Sequence, residues 1–273
     1  MIDLHCHLLP GIDDGPASLD LSLEMARLAV ADGIKISACT PHIYPGVYEN
    51  TRDGIRRCVD DLRRRLQDAD IPLVITDGAD IQMVPELIQG LRAGRLATLS
   101  GTRYFLFEPP HFAVPFGFSR LIFDVLAAGY VPIITHPERL GWLDRDHYPW
   151  FVDAVSAGAW IQLTAGAVTG RFGRTARDWS ERFLGDGLVH ILATDAHDPI
   201  RRPPLLGEAR AAAEKWLGPV EAERLVSDRP RAVLDDLDPG CVTPPPSLSG
   251  FSDGLPRGAS ARRRPGLLAR LFG

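Results

Sequence analysis

The chain has 273 residues, 45% of them hydrophobic and 24% charged, with a formal net charge of −5. That composition suits one large α/β domain or two small ones around a sizeable buried core. The acidic balance argues against a nucleic-acid binder, whose phosphate contacts need a basic face, and no apolar run reaches the roughly 18–20 residues of a membrane span. The opening MIDLHCHLLPG has neither the basic nor the apolar region of a secretion signal. Four cysteines, Cys6, Cys39, Cys58 and Cys241, form no CxxC pair, so a reducing cytoplasm is the expected setting.

In chain order, short β-branched or apolar runs alternate with longer amphipathic stretches. Strands are expected over 2–6, 34–39, 73–76, 104–108, 131–135, 160–163 and 189–194. Helices are expected over 18–31, 51–69, 118–128, 147–157, 175–184 and 204–216. Gly129, Gly158 and Gly187 fall just past helix ends, where a left-handed residue is tolerated. Such alternation predicts parallel βα units with right-handed crossovers. Seven strands suit a closed or nearly closed barrel, but a doubly wound open sheet fits the same periodicity.

The last segment differs in character. From Cys241 onward, Arg257, Arg262, Arg263, Arg264 and Arg270 stand against Asp253 alone, which leaves the preceding residues nine charges negative. TPPPSLSGFSDGLPRG reads as a flexible linker, and ARRRPGLLARLFG closes the chain with a basic and apolar cluster. The folded domain is therefore expected over 1–238, with a linker and disordered tail over 239–273.

Polar residues gather where the strands end. His5 and His7 close the first, with Asp13 and Asp14 in the next loop, and His42 follows the second. Asp80 follows the third, Glu108 ends the fourth, and His136, Glu138 and Arg139 follow the fifth. Asp195 and His197 follow the last. In parallel α/β folds the C-terminal ends of strands form the face that carries sites. Residues two apart in a strand share a side, so the imidazoles of His5 and His7 can grip one cation while Cys6 points away. An HxH pair alone is weak. Five of eight histidines at strand ends with four carboxylates is harder to explain by structure, because buried carboxylates need compensation. Mixed histidine and carboxylate donors suit Mn²⁺, Zn²⁺ or Fe²⁺.

The blocks IDLHCHLLPGIDDGP, TPHIYPG, LFEPP, THPER, QLTAGAVTG and ATDAHDPIRRPP, in that order over about residues 1–235, resemble the bacterial metal-dependent protein tyrosine phosphatases of the polymerase-and-histidinol-phosphatase (PHP) superfamily, which act in capsule and exopolysaccharide biosynthesis. The resemblance implies a distorted (β/α)₇ TIM-like barrel, the PHP fold, holding three divalent metal ions, with Mn²⁺ the expected metal. Carried over by motif, His5, His7 and Asp195 hold one ion, Glu108 and His136 a second, and Asp14, His42 and His197 a third. Asp80 stands where the family has a glutamate bridging the first two, one methylene longer. Arg139 and Arg202 fall at the family's phosphate-binding arginines, with the RPP run selecting Arg202 over Arg201. A guanidinium takes two phosphate oxygens at once.

The function so implied is phosphotyrosine hydrolysis by a metal-activated water. The implied partner is a membrane-anchored tyrosine kinase of polysaccharide assembly. The competing readings are a histidinol-phosphatase-like phosphomonoesterase and a non-catalytic phosphotyrosine-binding module. Cys58 and Arg64 satisfy a bare C-x5-R pattern, but the stretch is helical, lacks glycine and holds two aspartates, unlike a phosphate-cradling loop. His111, His147 and His190 are expected on loops or helix ends, outside the site. In the tail, Arg262, Arg263, Arg264 and Arg270 beside Leu267, Leu268, Leu271 and Phe272 suggest weak docking to an anionic cytoplasmic leaflet, at about 1 kcal/mol per basic residue.

Overall fold

The computed structural model describes residues 1–249; residues 250–273 of the expected linker and tail, with the segment expected to touch a membrane, lie outside them. The chain begins with β1 (Ile2–Cys6), α1 (Leu19–Ala31), β2 (Ile36–Cys39), β3 (His42–Ile43), α2 (Arg52–Asp68), β4 (Val74–Asp77), β5 (Asp80–Gln82) and α3 (Leu87–Arg92). It continues through β6 (Tyr104–Glu108), α4 (Phe118–Ala127), β7 (Val131–Thr135), α5 (Tyr148–Ala157), β8 (Trp160–Thr164), α6 (Ala165–Val168), α7 (Arg174–Gly185) and β9 (Ile191–Ala193). Then come α8 (Gly207–Leu217), α9 (Pro219–Glu223) and α10 (Arg229–Leu234). All strand pairings are parallel. No helix among the described residues is long and apolar enough to cross a membrane.

The hydrogen bonding resolves the choice between barrel and open sheet. One sheet runs β1-β2-β4 and the other β3-β5-β6-β7-β8-β9. β2 and β3 are two pieces of one broken strand, as are β4 and β5, since β2 pairs with β4 and β3 with β5. The ring closes at the other end through a parallel bridge between Cys6 and Ala196, with Asp195 N donating to His5 O at 2.8 Å and His7 N to Ala196 O at 2.9 Å. Seven staves result, one broken pair counted as one stave each.

Period-two alternation sorts the side chains. Phe105 and Phe107 of β6 join the core beneath the helices, while Tyr104 and Leu106 fill the other cluster with Val131 and Ile133 of β7. Each fully buried apolar side chain of this size contributes about 1.5–3 kcal/mol. Glu108 continues the Tyr104–Leu106 side and Thr135 the Val131–Ile133 side, so the same alternation delivers polar atoms at the strand ends.

α2 shows the matching helical logic. Ile55, Val59, Leu62 and Leu66 form its buried stripe, and Thr51 caps it by accepting from Gly54 N at 3.2 Å. Cys58 lies within this helix, half-buried against the core.

The boundary expected at 238 falls within a strap that stays packed. The buried Arg229 guanidinium donates to Thr243 O and Pro244 O, both at 2.9 Å, and pairs with Glu221 at 2.6 Å. Ser247 N donates to Gly187 O at 3.1 Å. A buried charge needs those carbonyls, and linker composition gave no sign of it.

Candidate metal centre

At the C-terminal rim of the barrel, His5, His7, Asp14, His42, Asp80, Glu108, His136, Asp195 and His197 converge. His5 Nε2 and His7 Nε2 lie 3.2 Å apart, and Asp195 Oδ1 is 3.4 Å from the first and 3.5 Å from the second. The outer nitrogens of both rings are engaged: Gln162 Oε1 lies 2.9 Å from His5 Nδ1 and Asp13 Oδ2 lies 2.7 Å from His7 Nδ1. Such partners fix ring orientation and turn the Nε2 atoms toward one point. Asp13 sits in a tight loop that admits no side chain at Gly15, where a Cβ would meet His7 O at 2.7 Å.

A second gathering is Asp14, His42 and His197. Asp14 Oδ1 lies 3.6 Å from His42 Nε2 and 3.3 Å from His197 Nε2, with His7 also in range. Between the groups sits Asp80 Oδ2, 3.4 Å from His5 Nε2, 3.7 Å from His42 Nδ1 and 3.7 Å from His136 Nε2. Its other oxygen, Oδ1, accepts from Thr135 Oγ1 at 3.4 Å. The shorter carboxylate thus reaches the middle of the cluster with one oxygen. Glu108 and His136 stand on the far side, 3.8 Å apart, with Glu108 Oε2 3.4 Å from His42 Nδ1.

His136 and Asp195 follow directly after β7 and β9 with positive φ, 36° and 50°. A non-glycine residue there costs about 1 kcal/mol or more, and such strain gathers at functional sites. It is held here by His136 N donating to Gln162 O at 3.0 Å and by the Asp195–His5 backbone bond.

The electrostatics are those of a site built for cations. Burial, reinforced by neighbouring Glu108, pushes the Asp80 carboxyl well above its usual range. Burial also lowers His5 to about 3. For His7 burial acts downward too, but Asp13 and Asp195 outweigh it and raise the ring to about 10. Burial acts upward on Asp195 and is overcome by Arg202 and the site imidazoles, which hold it well below the carboxylate range. Asp80 Oδ2 and His42 Nδ1 are buried without a hydrogen-bond partner. Unpartnered donors and acceptors of this kind, oxygen and nitrogen mixed, fit divalent cations.

Arg139 and Arg202 both pair with Asp195 Oδ2, the latter at 2.5 Å, and both guanidiniums lie over the Phe172 ring, at 5.0 and 5.7 Å. Phe172 was not foreseen as their platform. Arg201 lies on the exposed surface. Asp14, His42, Glu108, His136, Asp195 and His197 of the cluster line a cavity of about 450 Å³ with both arginines, and Tyr44, Tyr48, His111 and Phe112 add aromatic lining.

His111 is therefore a correction: it stands in the site, its Nε2 3.2 Å from Glu108 Oε1 and its ring 4.9 Å from that of His136. The double proline after Glu108 turns the chain back over the rim, which strand periodicity does not register. His190 lies as expected on the loop between α7 and β9, outside the site, where it is buried and stacked on Trp160 at 5.0 Å, with Nδ1 accepting from Ile161 N. His147 precedes α5 as expected. All four cysteines are free.

Residues 1–235 match the family described as Capsular polysaccharide synthesis, CpsB/CapC. The chain is 38% identical over 218 residues to tyrosine-protein phosphatase YwqE of Bacillus subtilis, covering 80% of this chain and 85% of the relative. It is 27% identical over 244 residues to tyrosine-protein phosphatase CpsB of Streptococcus pneumoniae, covering 86% and 99%. A crystal structure from work on those two proteins, described as unique metal-dependent tyrosine phosphatases, superposes with a TM-score of 0.80 at 35% identity, covering 87% of this chain and 96% of the other. The phosphotriesterase homology protein of Escherichia coli, at 10% identity and a TM-score of 0.51, shares the fold alone. This chain belongs to the CpsB/CapC family of capsular polysaccharide synthesis.

Proposed function

We propose that the chain is a metal-dependent protein-tyrosine phosphatase acting in capsular or exopolysaccharide synthesis. One observation carries the reading: two arginines and a cluster of histidines and carboxylates line one cavity together with aromatic side chains. His5, His7 and Asp195 would hold one ion, Glu108 and His136 a second, Asp14, His42 and His197 a third, with Asp80 between the first two. The donor set accepts Mn²⁺, Zn²⁺ or Fe²⁺, and Mn²⁺ is the proposed metal. When bound, such cations supply Lewis-acid charge and acidify a water so that it attacks phosphorus at neutral pH.

The chain's own residues position the ester. Arg139 and Arg202 converge from one side, where two guanidiniums can take the non-bridging oxygens and neutralise charge that grows in the transition state. Phe172 beneath them limits their swing. Tyr44, Tyr48 and Phe112 supply the aromatic lining of the cavity, suited to a phenyl ring, with Tyr48 stacked on His42 at 5.6 Å. In hydrolysis the water oxygen joins phosphorus as the phosphorus–phenolate bond breaks. The phenolate, from a group of pKa about 10, leaves with little help. No cysteine lines the cavity, and burial raises the thiols of Cys6 and Cys39.

The substrate class is a phosphotyrosine protein, with a membrane-anchored tyrosine kinase of polysaccharide assembly as the partner. The location is cytoplasmic, with the basic tail bringing the enzyme to the membrane surface; sedimentation with anionic vesicles, with and without residues 250–273, tests that part. The central test is turnover of p-nitrophenyl phosphate, a phosphotyrosyl peptide and histidinol phosphate with added Mn²⁺, with and without EDTA. The expected result is metal-dependent hydrolysis that favours the aryl esters. Activity indifferent to chelation, or preference for histidinol phosphate, overturns the reading.

A further inference from the structure

The geometry points to His111 as a metal ligand of this chain, completing a Glu108–His111–His136 donor set at the mouth of the cavity. One donor atom from each of these three residues lies within 4.8 Å of the others. His111 Nε2 is 3.2 Å from Glu108 Oε1, and the His111 and His136 rings lie 4.9 Å apart at an angle of 33°. This inference rests on the metallophosphatase reading for the presence of an ion, and on nothing else in it.

The need for a further donor comes from Asp80. A carboxylate that spans two ions offers one oxygen to each. Here only Oδ2 enters the cluster, while Oδ1 is turned to the Thr135 hydroxyl and so away from the histidines. A single oxygen, Oδ2, is then left to serve both positions, and the one between Glu108 and His136 has only a shared third donor where a catalytic ion usually keeps three protein ligands. His111 supplies another from the open side.

The loop that carries His111 is held for this purpose. Gly141 N donates to His111 O at 2.9 Å, and Trp142 Nε1 donates to Pro110 O at 2.7 Å. Both anchors come from the segment after His136, so the two imidazoles are fixed to one another through the backbone. A Cβ at Gly141 would approach His111 O to 3.3 Å, so the close contact of the two loops depends on that residue. Pre-set ligands of this kind bind metal without the cost of ordering a free side chain.

The competing role is a positioning one, in which His111 only orients Glu108. His111→Gln separates the two, because an amide N–H can still point at Glu108 while the imidazole nitrogen is gone. The metal-free full-length chain, its His111→Gln and His111→Phe variants, and His111→Gln combined with Asp80→Glu would be loaded with Co²⁺. Metal per chain, affinity by chelator competition and the visible absorption of the bound ion would be read, with circular dichroism as the check on folding. Both single variants are expected to lose one equivalent or bind it at least tenfold more weakly, with a changed cobalt spectrum. Asp80→Glu is expected to restore it, the longer side chain carrying its second oxygen past Thr135.

Parental cobalt content, affinity and spectrum in His111→Gln overturn the assignment. Absence of rescue by Asp80→Glu overturns the link to Asp80. Turnover is not among the readouts: a parent chain that loads metal yet hydrolyses no aryl phosphate removes the phosphatase reading and leaves the His111 assignment intact.

Discussion

His42 and Asp80 are register partners in the parallel pairing of β3 with β5, and His42 Nδ1 faces Asp80 Oδ2 at 3.7 Å. Two strands of only two and three residues thus exist to bring an imidazole and a carboxylate side by side. Asp80 is buried, and burial first and Glu108 second push its carboxyl well above the usual range. Asp80→Asn removes the ionisable carboxyl and keeps its shape. The metal-free variant is expected to match or exceed the parent in stability at pH 8, because burial of an ionisable carboxyl is unfavourable there. Its metal affinity should fall at least tenfold. Denaturant unfolding without metal, beside a metal titration, checks both; a clear loss of metal-free stability would contradict the account.

Arg139 and Arg202 should act on turnover without acting on metal content. Replacing either by alanine is expected to lower kcat/KM for an aryl phosphate by about 10²–10³, or ~3–4 kcal/mol of transition-state stabilisation. The double variant should cost less than the product, since both guanidiniums share Asp195 and Phe172. Arg201→Ala, on the exposed surface, should stay within about threefold of the parent, as surface substitutions usually do.

Cys58→Ser is expected to leave hydrolysis unchanged. The thiol lies inside α2, half-buried among apolar neighbours, and a helix interior offers no free N–H groups to a phosphate. A loss of activity greater than tenfold, with metal content intact, would bring back thiol chemistry.

Glu138 links stability to pH. Burial raises its carboxyl from 4.5 to about 7; Oε1 accepts from Thr164 N at 2.8 Å while Oε2 has no partner. Between those values the folded chain keeps a proton that the unfolded chain has released, so stability falls as pH rises through the window. The stabilisation is complete below about 4.5 and lost by about 7, up to ~3 kcal/mol in all. Glu138→Gln keeps the Oε1 acceptor without the titration. Its stability relative to the parent should rise from pH 5 to pH 8; a constant difference would remove Glu138 as the cause.

Truncation should be tolerated after Ser249 and not after Gly240. Removing residues 250–273 is expected to spare hydrolysis of a small ester. Removing 241–249 as well takes Thr243 O and Pro244 O from the buried Arg229 and should cost about 1–3 kcal/mol or more. The sequence favours deletion from 241 as harmless. Thermal unfolding of the two shortened chains distinguishes these outcomes.

Much of the frame was legible because burial on both faces writes a continuous apolar run. β6 and β7 fall at 104–108 and 131–135 as expected, and the α2 stripe follows its period. β3 and β5 escaped notice because strands so short carry no periodicity; their pairing is imposed by the strands before them. Closure was equally hidden, since a bridge between Cys6 and Ala196 leaves no local mark. All nine residues expected at the metal centre are gathered at one rim, as strand-end placement predicts. The residues that steady them were not foreseen. Asp13, Gln162 and Phe172 act through an imidazole nitrogen or a guanidinium face, relationships that exist only between distant segments.

The seam between β1 and β9 has a bearing on how the protein is made. Thr194 Oγ1 and Asp3 Oδ2 meet at 2.5 Å across 191 residues of chain, and closing a loop of that length costs about 5 kcal/mol in entropy. His5 and His7 stand on one lip of the seam and Asp195 and His197 on the other. During synthesis the first two histidines leave the ribosome long before the residues that complete their site, and no N-terminal fragment can hold the full donor set. A cation held by donors from both lips would therefore bind only at the end of the chain's synthesis, and would fasten the ring as a clasp fastens a bracelet.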